Sequence, residues 1–319
     1  MPVIHSGPTV SFVVTLYNKQ EFLPYLLASI AAQSGGFARE FIFVDDGSTD
    51  RTVPLLRAAV ADWPAVTILE QPNAGPAVAL NRGFRAATGD FVKPIDGDDV
   101  LLPWATERLL AASSDTGSAV SHADLGLQGR YDLAMAPERL LALQRRADGP
   151  YVQIDRPLRV SLAKARTNPS AILVRTDLVR AVGGCDEAVF VQDYSLELRL
   201  AARGAFARVD ELILLRPRTA PGRLSDNEAQ TLHDINLALA GLLRAEPGLS
   251  NDLRRYALRR ASGRAWAWAR RRGGKNVLSR DFARYFAARL NLASATSATI
   301  EATCDSFTRT AQIRVVGGG

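Results

Sequence analysis

A chain of 319 residues with 47% hydrophobic and 23% charged side chains can bury a full core, as one large domain or two ordinary ones. Its two cysteines, Cys185 and Cys304, show no metal-ligand or disulfide spacing, which points to a reducing cytosol. No basic-then-apolar leader opens the sequence and no window gives about 18 uninterrupted apolar residues, so neither a secretion signal nor a spanning helix is expected.

The net charge of +6 is unevenly placed. Residues 251–291 hold twelve Lys/Arg against two acids, Asp252 and Asp281, which leaves the rest of the chain net acidic by four. A basic arm on a near-neutral body predicts contact with an anionic surface such as phospholipid, or with a partner, sooner than a nucleic-acid enzyme.

Residues 10–15 are a β-branched apolar run between Gly7-Pro8 and Tyr17-Asn18 and read as a buried strand. Residues 19–33 switch to helical spacing, with Phe22, Leu26, Ile30 and Gln33 on one side, and stop at Gly35-Gly36. A second strand, 41–44, runs into Asp45-Asp46-Gly47-Ser48-Thr49-Asp50, where Ser48 is placed to cap a helix carrying Val53, Leu56 and Val60. Residues 66–69 are a third strand, and the turn from Gln71 to Pro76 opens a helix to about Ala87.

The fourth strand, 91–95, ends in Asp96-Gly97-Asp98-Asp99. Three carboxylates around one glycine repel one another, so a hard divalent cation, Mg²⁺ or Mn²⁺, is the economical counter-ion, and such an ion keeps positions free for substrate phosphates. An acidic surface turn is the plain alternative for the motif by itself. Strand and helix alternating with short connections predict βαβ units and a parallel sheet, with ligands bound beyond the carboxyl ends of the strands. Thr15, Asp45/Asp46 and Asp96/Asp98 all fall at that end.

Taken in order, Thr15-Leu16-Tyr17-Asn18, Val44 to Asp50, Asn73-Ala74-Gly75-Pro76, Asn81-Arg82-Gly83 and Asp96-Gly97-Asp98-Asp99 resemble the family 2 glycosyltransferases of GT-A fold. The resemblance covers about residues 8–105. It implies a nucleoside-diphosphate sugar donor, a metal on an Asp-x-Asp pair, and transfer with inversion to a hydroxyl acceptor that is a glycan, lipid-linked or small. Carried over residue by residue, Thr15, Leu16 and Tyr17 line the nucleoside, and Asp46 reads the pyrimidine. Asn73, Gly75 and Asn81 belong to the donor site, as do Asp96, Gly97, Asp98 and Asp99, with Asp98 and Asp96 toward the metal. Leu80 stands where relatives often place an arginine; Arg82 and Lys93 are the alternative positive charges.

Further on, residues 104–112 read as a helix, 119–122 as a strand and 137–146 as a helix, with His122 a hydrogen-bonded core or loop group rather than a ligand. Residues 168–174 return to strand character, and Thr176-Asp177 cap a helix ending at Gly183-Gly184. The stretch from Gln192 to Leu200 is similar to the family's Glu-Asp helix, whose aspartate is the catalytic base; this gives Asp193 that role, with Gln192 replacing the usual Glu. Residues 205–215 read as an edge strand. The loop 216–225 lacks the histidine common in relatives and offers Arg218 or Arg223 to the diphosphate, or is a solvated surface loop.

Beyond Ser225 the pattern is helical to about Leu290, where Trp266, Trp268 and the arginine runs suit an anionic membrane, a charged outer face or a dimer contact. The tail from Ala293 is small and polar, with its ordering undecided. The expectation is thus an α/β, Rossmann-like GT-A domain over 1–225, with donor half 8–105 and acceptor half 106–225. A basic helical region follows over 226–319. The enzyme is expected to be cytoplasmic or peripheral at the cytoplasmic membrane face, UDP first among nucleotides, then dTDP and GDP. A nucleotidyltransferase and a non-catalytic nucleotide-sugar-binding protein are the rivals; the first lacks its glycine-rich grip after the opening strand.

Overall fold

The computed structural model describes residues 7–143, 150–219 and 227–314. The helix predicted over 137–146 is seen as Pro137–Leu141, its end lying outside the described residues, as does Arg223. The chain forms two compact units, and the second is built from three separate stretches: Pro157–Ala165, Cys185–Ala202 and the chain from Pro221 onward. The sequence reading drew a single boundary near residue 225.

The first unit is organised on an eight-stranded sheet. Its first half is β1 (Thr9–Leu16), α1 (Leu23–Ala31), β2 (Ala38–Asp45), α2 (Thr52–Ala59), β3 (Val66–Glu70), α3 (Pro76–Ala86) and β4 (Phe91–Asp96). These four strands are parallel, in the order β3-β2-β1-β4. β1 is buried on both faces, as its unbroken apolar run predicts: Phe12 and Val14 pack among α1 and the β2 aromatics, while Val13 meets α3. Gly83 explains its place in the Asn-Arg-Gly stretch, because a Cβ there would stand 2.2 Å from Val13 Cγ1. Only glycine lets α3 lie this close to the sheet.

The second half is less regular. After β5 (Val100–Leu101) and α4 (Ala105–Thr116) come β6 (Val120–Ala123), β7 (Gly129–Tyr131), α5 (Pro137–Leu141) and β8 (Tyr151–Ile154). Following α6 (Pro157–Ala163), β9 (Ile172–Arg175) enters beside β4 in the opposite direction. After α7 (Thr176–Ala181) and α8 (Gln192–Ala201), the expected edge strand over 205–215 is two strands: β10 (Phe206–Val209) completes the order β4-β9-β6-β10-β8, while β11 (Leu214–Pro217) joins a small sheet, β5-β11-β7. His122 is buried on β6 with its ring edge-on to Phe206, and burial pushes its pKa down to about 4, so it is a neutral core group.

The second unit is helical: α6 and α8, then α9 (Glu228–Ala245), α10 (Asn251–Gly273), α11 (Arg280–Arg289), α12 (Ser297–Glu301) and α13 (Asp305–Thr308). Within the tail, Phe307 is fully buried against Trp268 and Thr310 accepts the Trp268 indole N–H at 2.7 Å. No described helix is long and apolar enough to cross a membrane.

Candidate active site

The register of the parallel strands aligns their carboxyl ends: Leu16 pairs with Asp45, Asp45 with Glu70, and Thr15 with Asp96. The loops beyond them are stitched together by their own polar groups. Asn18, held at φ +51°, donates its N–H to Ser48 Oγ at 2.9 Å and accepts the Thr49 N–H at 2.8 Å. Lys19 N–H reaches Thr52 Oγ1 at 2.7 Å. Ser48 is therefore not the helix cap expected of it: α2 begins four residues later with Arg51 at the cap position, and Ser48 gives both its N–H and O–H to Asp45. Thr176 and Asp177 likewise lie inside the first turn of α7, whose cap position is Arg175.

Asp46 is 5% exposed and accepts three hydrogen bonds from the loop after β3: Gln71 Nε2 at 2.8 Å, Ala74 N–H at 2.9 Å and Gly75 N–H at 2.9 Å. Burial raises its pKa, and these donors work against the rise. Gly47 makes the approach possible; at φ +78° it is left-handed, and a Cβ would come within 2.7 Å of the Asn73 nitrogen. Gly97 plays a similar part, since a Cβ there would meet the Thr15 carbonyl oxygen at 2.8 Å. Tyr17 is 47% exposed and Asn73 is exposed, so both present surface at this end of the sheet, with Leu16 buried beneath.

The acidic cluster divides by environment. Asp98 Oδ2 forms an ion pair with Lys19 Nζ at 2.8 Å, and the Asp98 carbonyl accepts the Tyr131 hydroxyl at 2.9 Å. Asp96 is half-buried, its N–H bonded to Ser170 Oγ at 2.9 Å. Asp99 is 1% exposed, with the Arg216 guanidinium 3.7 Å away and the Ser170 hydroxyl beside its carboxylate. Burial, with Asp98 beside it, pushes Asp99 up to about 6.

The two charges suggested as substitutes at Leu80 both have hydrogen-bond partners of their own. Arg82 donates to the Glu70 carbonyl at 2.8 Å, and Lys93 is fully buried, donating to the Ser170 carbonyl at 2.6 Å, with its pKa driven down to about 7 by desolvation. Leu80 itself is a core residue, 1% exposed. The cations that meet the cluster are Arg216 at Asp99 and Lys19 at Asp98, both passed over by sequence reasoning; for Lys19, its place just after a left-handed asparagine at a strand end was the available signal. Asn81 is not among the groups at the strand ends. It lies midway along α3, buried against Gly184, where a Cβ would be 2.1 Å from its Oδ1.

Among the described residues no three His, Cys, Asp or Glu side chains form a ready-made metal cage. The donors nonetheless suit a hard cation: Asp96 and Asp98 supply oxygen only, and Asp98 already holds one cationic group at 2.8 Å. Two carboxylates leave the remaining positions of Mg²⁺ or Mn²⁺ to phosphate oxygens.

In the second unit, Asp193 is half-buried in the first turn of α8, its Oδ1 accepting the Tyr194 N–H at 2.8 Å. The backbone just before it is pinned from α9. Asp234, 2% exposed, accepts the Phe190 and Val191 N–H groups at 2.9 and 3.0 Å, while His233 and Gln230 hold its other oxygen. Gln230 in turn clamps Arg314, bonding its N–H at 2.7 Å and its carbonyl at 3.1 Å.

The mixed sheet, with parallel strands whose aligned carboxyl ends carry Asp46, Asp96 and Asp98, has the GT-A fold. Solved structures of that fold align along nearly the whole chain. TarS 1–349 of S. aureus, in complex with UDP-GlcNAc, has a TM-score of 0.57 at 15% identity, covering 94% of this chain and 92% of that one. The mannosyltransferase PcManGT of Pyrobaculum calidifontis, in complex with GDP-Man and Mn²⁺, has a TM-score of 0.51 at 20% identity, covering 95% and 86%. Residues 11–159 match the profile of Glycosyl transferase family 2. The succinoglycan biosynthesis protein ExoO of Rhizobium meliloti is 36% identical over 144 residues, 44% of this chain and 40% of ExoO. The chain spans 36–40% of the length of such curated relatives.

Proposed function

We propose that the chain is a metal-dependent, inverting transferase that moves a sugar from a nucleoside-diphosphate sugar to a hydroxyl acceptor in glycan or polysaccharide synthesis. The observation that carries this reading is the strand-end cluster: an Asp46-organised loop beside Asp96, Asp98 and Lys19, in a stretch that matches this family's profile. Tyr17 and Thr15, with the loop that Asp46 ties down, are assigned to the nucleoside. UDP is put first and GDP second among the nucleotides to be tested, since TarS holds UDP-GlcNAc and PcManGT holds GDP-Man.

Asp98, with Asp96, is assigned to Mn²⁺ or Mg²⁺, which when bound neutralises charge on the departing diphosphate. Asp193 is assigned as the base that takes the acceptor hydroxyl proton while that oxygen attacks the anomeric carbon. The assigned base precedes Tyr194, whose hydroxyl donates to the Ser161 carbonyl at 3.0 Å, and the Asp234 clamp precedes it; both restrict its backbone. A restricted base loses less freedom on reaching the reacting geometry.

Two measurements test the proposal. A thermal-shift panel of UDP, dTDP and GDP with and without Mn²⁺ should show the largest stabilisation for UDP with metal, because stabilisation follows affinity. Asp193→Asn should keep that shift and lose transfer by about a thousandfold or more. Normal turnover by the Asn variant removes Asp193 from the base role, and donor binding without any release of nucleoside diphosphate by the wild type leaves a binding protein.

A further inference from the structure

Helix α11 turns an apolar face to solvent. Its inward side carries Asp281, which accepts hydrogen bonds from Ser306 and Arg309, together with Ala288, both 3% exposed. Its outward side carries Ala283, Phe286 and Leu290, at i, i+3 and i+7, where a solvated helix ordinarily places polar groups. Phe286 is 50% exposed and Leu290 53%; next to the helix ends, Val277 is 62%, Leu278 90% and Leu292 75% exposed. Five of the ten exposed large hydrophobic side chains among the described residues thus fall in one sixteen-residue stretch, which marks a contact surface rather than scatter.

The surround is cationic. Arg270, Lys275, Arg280 and Arg289 are exposed, and the single acid between Leu253 and Ile300 is the buried Asp281. Trp268, which the sequence offered to the same surface, is instead core. We propose that this face docks the protein on an anionic phospholipid surface, with Leu278, Phe286 and Leu290 entering the headgroup layer and the arginines meeting lipid phosphates. A second copy of the chain is a poorer occupant, because a two-fold contact would set the Arg280 and Arg289 rim against itself. A nucleic acid would use the cations and leave the leucines and phenylalanine in water.

Co-sedimentation of the full chain with vesicles tests the assignment. Binding to phosphatidylcholine vesicles rich in phosphatidylglycerol should exceed binding to phosphatidylcholine alone by about tenfold or more. Leu278→Glu and Phe286→Glu should each weaken it by about tenfold, and Leu278→Glu should leave the melting temperature unchanged, its side chain being 90% exposed. Arg280→Glu combined with Arg289→Glu should abolish the preference for anionic lipid. Equal binding to both vesicle types, or binding indifferent to Leu278→Glu and Phe286→Glu, overturns the proposal. So does a dimer in solution that Phe286→Glu converts to monomer.

Discussion

Asp46 acts on the loop before it acts on any ligand. Three donors converge on it from residues 71–75, so Asp46→Ala strands the Ala74 and Gly75 N–H groups and should cost about 2–4 kcal/mol in urea denaturation, with nucleotide stabilisation lost in parallel. Lys19 occupies Asp98 Oδ2, the oxygen proposed for the metal, so on that proposal Lys19→Met should lower the Mn²⁺ concentration needed for half-maximal thermal stabilisation by roughly five- to tenfold. His122 gives a pH dependence of known sign. Its folded pKa lies below the unfolded value, so the unfolded chain binds the proton first and stability falls as pH drops below about 6.5 toward 4. Denaturation midpoints should show His122→Gln losing about 2 kcal/mol less than wild type between pH 7 and 5. Carboxylates at strand ends were legible because each follows its own apolar run. The Lys19–Asp98 pair spans 79 positions and leaves no local trace, and the part Asn81 plays at mid-helix depends on a turn about a hundred residues later.

At the level of elements, the loops matter more than the strands that carry them. Gly47→Ala forces a Cβ onto the Asn73 backbone at a left-handed φ; it should destabilise the fold by about 1–3 kcal/mol and weaken nucleotide binding, read by thermal shift. Asp234→Asn removes one acceptor from the clamp ahead of α8. It should lower kcat by about tenfold while leaving the donor KM unchanged, a split that separates positioning from donor binding. The βαβ half of the sheet was readable because period and turn chemistry repeat there. Beyond β4 the strands are four residues long or shorter, and their order is decided by tertiary partners, so residues 205–215 looked like one edge and proved to be two strands in two sheets. Ser48 misled for a related reason: its hydroxyl had a nearer partner in Asp45 than any helix N–H.

For the molecule as a whole, the second unit is no detachable appendage. α6 and α8 arise early in the chain but pack on one another and on α9 and α10, where Leu196, Leu198 and Leu200 are buried. A chain ended at residue 219 should therefore expose those leucines and aggregate, as light scattering during expression or refolding would show. The discontinuity also sets a schedule during translation. When Ala220 has been added, every stretch of the sheet-bearing unit exists, yet the helix bearing Asp193 still awaits Asp234 and the chain out to Arg314. At ordinary ribosomal speeds that wait is roughly 5–20 s. During it the nascent chain holds greasy helices without their mates, which makes this interval the point of greatest need for a chaperone.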